Sequence, residues 1–192
     1  MRIWTIGHST RTIDEFVSLL KENEIRLLVD VRTWPSSKRY PQFNKDTLAE
    51  SLTVNEIRYE HFPELGGKRK SKPDSRNTAW RNASFRGYAD YMETEQFQKG
   101  IERLFALTRS DGLGSGRNQN DGWEAVAPYR IAIMCAEAVW WRCHRSLIAD
   151  YLKARGVEVL HILGTNKVEP HPYTPAARIV NGELSYEVES LL

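Results

Sequence analysis

Apolar residues recur along the chain with two spacings, and the two spacings alternate. Continuous apolar runs typical of buried strands occur in "IWTIG", "RLLVDVR", "IRYEHF", "YRIAIMCAE" and "VEVLHIL". Apolar residues three or four apart predict helices in "TIDEFVSLLKENEI", "KDTLAESLTVNEI", "FRGYADYMET", "EQFQKGIERLFAL" and "CHRSLIADYLKARG". Strands that alternate with helices indicate a single α/β domain over residues 1–192, with a mostly parallel sheet of about five strands covered on both faces.

Two segments interrupt this alternation. Residues 110–124, "SDGLGSGRNQNDGWE", are rich in glycine and asparagine, so we predict a flexible surface loop. Residues 165–192 contain three prolines and little periodicity, which predicts a C-terminal tail lying along the surface.

Composition restricts the function classes only coarsely. Hydrophobic residues make up 41% of the 192 residues, enough for a core, and the net charge of +2 favours no partner by itself. No apolar run approaches the ~20 residues needed to cross a bilayer, and the opening "MRIWTIGHS" is unlike a signal peptide. We therefore expect a cytoplasmic protein with no membrane partner, whose two cysteines are free thiols.

Polar residues follow four of the predicted strands, at the points where the strands end. Carboxyl ends of parallel strands share one edge, where open α/β sheets bind ligands. Asp30 and Arg32 lie on one face of the second strand. They form a buried ion pair, or Asp30 holds Arg32 toward an anionic ligand, or both. Glu137 follows a buried strand, so it either pairs with a nearby arginine or serves as a general base.

Both cysteines lie at this edge. Cys143 precedes a helix and has Arg142, His144 and Arg145 beside it, which favours a thiolate and a nucleophilic role. Cys135 ends an apolar strand, which is typical of a packing thiol. The predicted catalytic residues are Glu137, Cys143 and His8, and the predicted anion-binding wall comprises Arg32, Arg145, His144, Gly7, Cys135, Asp30 and Glu64.

Two familiar kinds of site fit the cysteines less well. A cysteine-phosphatase loop is one residue shorter than the six-residue spacing between Cys135 and Arg142, and the intervening "AEAVWW" has no glycine to expose backbone amides. A metal site could form if both cysteines, His144 and His8 converged, but the chain has neither C-x-x-C nor H-E-x-x-H. On a helix His144 would also point away from Cys143. We therefore expect no metal ion and no organic cofactor.

Residues 66–88 form a basic stretch with seven lysines or arginines against one acid, Asp74. Trp80, Phe85 and Tyr88 are interleaved, a composition that can hold phosphates and stack bases, although a solvated loop has the same composition. The predicted nucleic-acid-binding residues are Lys68, Arg69, Lys70, Lys72, Arg81 and Arg86.

Several stretches together identify a family resemblance. They are "TIGHS", "VDVR", "FPELGG", "WRNASFRGYADYM", "MCAE", "CHRSLIADYL" and "EPHPYTPAARI". With these stretches the chain resembles the domain-of-unknown-function family 488 almost from end to end. The resemblance implies a Rossmann-like, three-layer α/β domain and supplies no activity.

Four hypotheses for function remain open. The first is an enzyme acting on a nucleotide, nucleic acid or other phosphate-bearing ligand in a cation-rich pocket. The alternatives are a non-catalytic nucleic-acid-binding module, thiol or sulfur-transfer chemistry at Cys143, and a purely structural polar network. The sequence indicates neither a reaction nor an oligomeric state.

Overall fold

The computed structural model describes residues 1–109 and 130–188, so the predicted loop at 110–124 lies outside the described residues. All the predicted strands and helices are present within the described residues. In chain order the elements are β1 (Arg2–Gly7), α1 (Ile13–Glu22), β2 (Ile25–Asp30), α2 (Lys45–Thr53), β3 (Arg58–His61), α3 (Ala83–Met92), α4 (Glu95–Arg109), β4 (Arg130–Cys135), α5 (Arg145–Ala154), β5 (Glu158–Gly164), β6 (Lys167–Pro170), β7 (Arg178–Val180) and β8 (Glu183–Ser185).

Six strands form one sheet in the order β3-β2-β4-β1-β5-β6. The first five run parallel and β6 pairs antiparallel with β5, which confirms the mostly parallel sheet with one more strand than predicted. Strand β4 lies between β2 and β1, with Gly7 beside Cys135 and Asp30 beside Met134. The carboxyl ends of the three central strands are therefore level, and the polar residues that follow them meet at one edge.

Helices cover both faces of the sheet, as the continuous apolar strands predicted. On one face Phe16 of α1 and Leu48 of α2 pack with apolar residues of β1, β2 and β4. On the other face Tyr88 of α3, Phe97 of α4 and Leu147 of α5 form a second core. Because both faces are buried, the architecture has three layers and is Rossmann-like.

The predicted tail, described for residues 165–188, adds β6 to the sheet and a β7–β8 ribbon. Its side chains also enter the core, because His171, Thr174 and Tyr186 are all buried. Thr174 donates to the Asp150 carboxylate of α5 through its backbone N–H (2.9 Å) and its hydroxyl (2.6 Å), and the Tyr186 hydroxyl donates at 2.9 Å. The tail is thus fastened to α5 by a buried carboxylate, a contact that the weak periodicity did not indicate.

A directed chain of hydrogen bonds continues from this carboxylate into the sheet. Asp150 accepts a hydrogen bond from His171 Nε2 at 3.0 Å, and His171 Nδ1 accepts one from His161 Nε2 at 2.8 Å. His161 Nδ1 in turn accepts from the Thr5 hydroxyl at 2.7 Å, and the Thr5 oxygen accepts from Arg145 Nη1 at 3.2 Å. In this direction the His161 ring accepts one bond and donates the other, as a neutral imidazole does. Burial, the largest cause, lowers the pKa of His161 to about 2, which agrees with a neutral ring.

Candidate functional site

The turn after β4 lies directly against the end of β1. A Cβ atom on Gly7 would lie 1.8 Å from the Glu137 carbonyl oxygen, so only glycine permits this approach. The same oxygen accepts a hydrogen bond from Arg145 Nη2 at 2.6 Å, and the Arg145 side chain is buried. Gly7 and Arg145, which the sequence predicted in the anion-binding wall, are therefore placed behind the turn, where they fix its path.

Asp30 and Arg32 form the ion pair that the sequence suggested, and both are buried. Arg32 Nε donates to Asp30 Oδ1 at 2.9 Å and Nη2 to Oδ2 at 2.6 Å, while Nη2 also donates to the Phe43 carbonyl at 2.8 Å. The Tyr59 hydroxyl donates to Oδ2 at 2.8 Å, and burial together with Asp30 raises the pKa of Tyr59, which keeps that proton in place. Asp30 is fully occupied in holding Arg32, whose Nη1 faces His8 instead.

His8 is a buried, neutral imidazole that contacts Arg32. Its Nδ1 lies 3.0 Å from the Ser9 carbonyl, which can only accept, so Nε2 carries the lone pair and faces Arg32 Nη1 at 3.4 Å. Burial, and then the Arg32 charge, lower the pKa of His8 to about 4. The ring also stacks on Phe43 with centroids 4.3 Å apart. This arrangement makes His8 a support for Arg32 rather than an exposed proton donor.

Glu137 is exposed, so its interpretation as a buried carboxylate that needs a cationic partner is wrong. The reason is that β4 ends at Cys135, and Glu137 already lies in the turn outside the sheet. Arg145 binds its carbonyl, not its carboxylate, and within residues 1–109 and 130–188 that carboxylate has no hydrogen-bond or ion-pair partner. In that part of the chain the carboxylate is thus left unpaired, in the wall of the cavity described below.

Cys135, Cys143 and His144 converge at the end of β4, where their side-chain ligand atoms all lie within 4.8 Å of one another. His144 Nδ1 lies 3.6 Å from Cys143 Sγ and 3.9 Å from Cys135 Sγ. Its Nε2 lies 3.2 Å from the Val31 carbonyl, which fixes Nε2 as the donor and turns Nδ1 toward the sulfurs. The expectation that His144 points away from Cys143 is wrong, because His144 is the residue before α5 and does not lie within the helix.

The two thiols share their protons unequally. Burial alone would raise the pKa of Cys143, but its hydrogen bond with Cys135 and the charge of Arg145 hold it well below its ordinary value. The hydrogen bond with Cys143 and burial raise the pKa of Cys135. Of the two thiols, Cys143 is thus the one whose ionised form is favoured. The cluster can act as a nucleophile or as a set of metal ligands.

One cavity of about 680 Å³ opens above this cluster. Of the predicted site residues, it brings together Arg32, Lys68, Cys135, Glu137, Cys143 and His144. Gly7, His8, Asp30, Glu64 and Arg145 do not line it. Glu64 is turned toward α4, where its carboxylate pairs with Arg103 at 3.0 Å.

Loop residues that the sequence did not assign complete the cavity wall. Trp34 follows β2 and is 65% exposed, although a large aromatic side chain is usually buried. An aromatic residue in a loop after a strand, at the edge where such sheets bind ligands, is the signal that could have identified it. The other unassigned wall residues are Thr33, Ser36, Gly67, Asn82, Ser84, Ala136 and Arg142, and Phe85 and Tyr88 also line the cavity.

The basic stretch is folded around the Asp90 carboxylate of α3. This carboxylate accepts from the Lys72 backbone N–H at 2.7 Å, the Ser75 hydroxyl at 2.5 Å and the Asn77 amide at 2.8 Å. Burial opposes the charged form of Asp90, but together these hydrogen bonds lower its pKa and so favour the carboxylate. The stretch is thus held in one shape beside the cavity.

The six basic residues predicted to bind nucleic acid have different surroundings. Lys68 alone lines the cavity. Arg69 and Arg86 are half-buried, with the Arg69 guanidinium 3.7 Å from the centre of the Tyr91 ring and Arg86 Nε 2.9 Å from the Trp80 carbonyl. The remaining three are exposed: Lys70, Lys72 and Arg81.

Comparison with known proteins places the chain in a family. Among the described residues, no helix is both long and apolar enough to cross a membrane. No curated protein and no solved structure matches the chain. The model of one family, described as "Domain of unknown function DUF488", matches residues 12–113 and 117–152, a span that includes both cysteines and His144. The chain therefore belongs to the DUF488 family, as its motifs indicated.

Proposed function

We propose that the protein is an enzyme that binds a phosphate-bearing ligand of about nucleotide size in this cavity and transforms it beside Cys143. One observation carries the proposal: cationic side chains, aromatic faces and two adjacent thiols line the same space. The cavity volume of about 680 Å³ falls within the range of small-molecule sites.

The charge of the cavity favours an anionic ligand. The Arg32 guanidinium is paired with Asp30, so among the described residues Lys68 and Arg142 supply the unpaired positive charges of the wall, which also carries the carboxylate of Glu137. Lys68 and Arg142 have no ion-pair partner within residues 1–109 and 130–188, and the Lys68 ammonium lies 4.6 Å above the Trp34 ring. Cations without a carboxylate partner can supply charge-assisted hydrogen bonds to phosphate.

The aromatic residues of the wall favour a ligand that carries a flat ring. Trp34, Phe85 and Tyr88 all line the cavity, and Trp34 is 65% exposed. Stacking on an aromatic side chain tolerates any base, because every base has a π face. A nucleotide combines this ring with a phosphate.

Chemistry is assigned to the end of the cavity where Cys143 and Glu137 lie. Cys143 marks the reaction centre, and Glu137 has a free carboxylate that can transfer protons. Arg32, supported by Asp30 and His8, holds the anion from the opposite strand end. His8 keeps Arg32 in place and does not itself contact the ligand.

Ligand screening followed by a comparison of binding with turnover tests this proposal. Thermal-shift measurements against nucleotides, short oligonucleotides and phosphorylated metabolites should show stabilisation that grows with ligand concentration. With the best ligand, Glu137→Gln should leave affinity nearly unchanged and lower kcat by about 10²-fold or more, as loss of a general acid or base does. Failure of every phosphate-bearing ligand to stabilise the protein would overturn the proposal.

The same experiment separates the enzyme from a nucleic-acid-binding module. Such a module would bind oligonucleotides through the exposed Lys70, Lys72 and Arg81, with strong salt dependence and no effect of Glu137→Gln. Binding of that kind, without turnover of any ligand, would contradict the proposal that the protein is an enzyme.

Thiol or sulfur transfer at Cys143 is a second candidate, favoured by the lowered pKa of that thiol. It requires a sulfur that alkylates rapidly near neutral pH. A Cys143 that stays inert up to about pH 8.5, the ordinary range of a free thiol, would eliminate this candidate.

A further inference from the structure

The end of the cavity has the donor set, spacing and access of a metal centre. We propose that Cys135, Cys143 and His144 bind a zinc ion whose fourth position opens into the cavity. This inference rests on the proposed function, because it assigns the reaction centre of the same cavity.

The donor atoms select the metal. Two sulfurs and one imidazole nitrogen form a borderline-soft set that suits zinc and disfavours magnesium and calcium, which take oxygen ligands. The three atoms all lie within 4.8 Å of one another. Both sulfurs are buried, which shields them from competing ligands in water.

The spacing fits tetrahedral coordination. Bond lengths of about 2.3 Å to sulfur and about 2.0 Å to nitrogen place a sulfur and a nitrogen ligand roughly 3.6 Å apart. The distances from His144 Nδ1 are 3.6 Å to Cys143 Sγ and 3.9 Å to Cys135 Sγ. Both nitrogen–sulfur distances are therefore within about 0.3 Å of the tetrahedral value.

The imidazole is already oriented as a ligand. His144 Nε2 donates to the Val31 carbonyl at 3.2 Å, so its Nδ1 lone pair is directed at the two sulfurs. Histidines that bind metals almost always donate their other ring N–H in this way, to a carboxylate, a backbone carbonyl or water. His61 makes the same type of contact, from Nε2 to the Arg32 carbonyl at 2.8 Å, but it does not belong to the cluster and provides a matched control.

Access to the ion comes from the cavity, which all three ligands line. Gly67 lies on the same side, and a Cβ atom there would be 2.8 Å from His144 Nδ1, so glycine leaves the ligand atom open. Within residues 1–109 and 130–188 the cluster contains three ligands and no fourth. Three protein ligands and one open position are typical of catalytic zinc, which holds a water molecule. The reaction class implied is hydrolysis, in which one water is added across the bond that breaks.

Metal analysis of the full chain tests the site without any ligand. Protein purified without chelators should contain about one zinc per chain, since three protein ligands define one site. Cys143→Ser and His144→Gln should each lose stoichiometric zinc, whereas His61→Gln should keep it. Cobalt added to the chelator-stripped wild type should give a thiolate-to-cobalt charge-transfer band that is absent from both cluster variants.

Gly67→Ala gives a milder test if Cys143→Ser does not fold. Its methyl group should weaken cobalt binding about 10- to 100-fold, the range seen when support of a ligand is disturbed, with both thiols intact. Wild type that takes up neither zinc nor cobalt while both thiols remain reduced would overturn the inference, as would a Cys135–Cys143 disulfide in the purified protein. Loss of phosphate-ligand binding in Lys68→Ala and Arg142→Ala concerns the proposed function instead, because neither residue belongs to the cluster.

Discussion

Acid should destabilise the fold through two buried histidines that the structure keeps neutral. The pKa of His8 falls from 6.5 to about 4, chiefly through burial and then through Arg32, and burial is the main cause that lowers the pKa of His161 to about 2. In the unfolded chain both return to about 6.5, so the unfolded state binds protons that the folded state does not. The stability is therefore fully present above the unfolded pKa and is lost as the pH falls toward each folded pKa. From pH 7.5 to pH 5 each histidine should lower the free energy of unfolding by about 2 kcal/mol, and the pair by about 4 kcal/mol.

Urea unfolding followed by tryptophan fluorescence at several pH values in this range measures the effect. His8→Gln removes one titrating group, so its free energy of unfolding should fall by about 2 kcal/mol less than that of the wild type. Tyr59→Phe, which removes one hydrogen bond to Asp30 but no histidine, should show the same pH dependence as the wild type. An equal acid-induced loss in the wild type and His8→Gln would refute the assignment of His8 as a buried neutral base.

Three further substitutions probe the carboxyl edge of the sheet. Gly7→Ala should lower the free energy of unfolding by about 3 kcal/mol or more, because its methyl group would overlap the Glu137 carbonyl. Little change in that free energy, measured by urea unfolding, would show that the turn moves freely. Asp30→Asn leaves Arg32 buried without its charge partner and should cost about 3 to 5 kcal/mol by the same assay, and a loss near zero would mean that water reaches the pair. Glu137→Gln, on an exposed carboxylate, should change stability by less than about 0.5 kcal/mol, and a loss of several kcal/mol would restore a structural role.

The sequence carried enough information to place the strands and the edge of the sheet that holds the site. Continuous apolar runs identify strands buried on both faces, and the alternation with helices requires them to be parallel. Once the strands are parallel, residues such as Arg32 and Cys135 must lie at the same edge. The Asp30–Arg32 pair was also accessible from sequence, because residues two apart on a strand share a face.

The direction of individual side chains could not be read from the same pattern. The directions of the Glu137 and Arg145 side chains depend on where β4 ends and α5 begins. An error of one or two residues in these boundaries changes which way each side chain points. Arg145 consequently lies behind the turn, and His144, just before the helix, meets the thiols. The position of Trp34 in the cavity wall and the burial of tail residues in the core depend on contacts between distant segments. Local periodicity does not reveal such contacts.

The proposed function depends most directly on binding of a phosphate-bearing ligand in the cavity. Titration calorimetry with the nucleotide that stabilises the wild type most should compare Lys68→Ala and Arg142→Ala with Lys70→Ala. The Lys70→Ala control removes the same charge two residues from Lys68 but outside the cavity. Loss of a charged hydrogen bond should weaken Kd about 10- to 100-fold in the first two variants, with less than about a two-fold change in Lys70→Ala. Equal weakening in all three would mean that the general charge of the loop attracts the ligand, and it would contradict a site in the cavity.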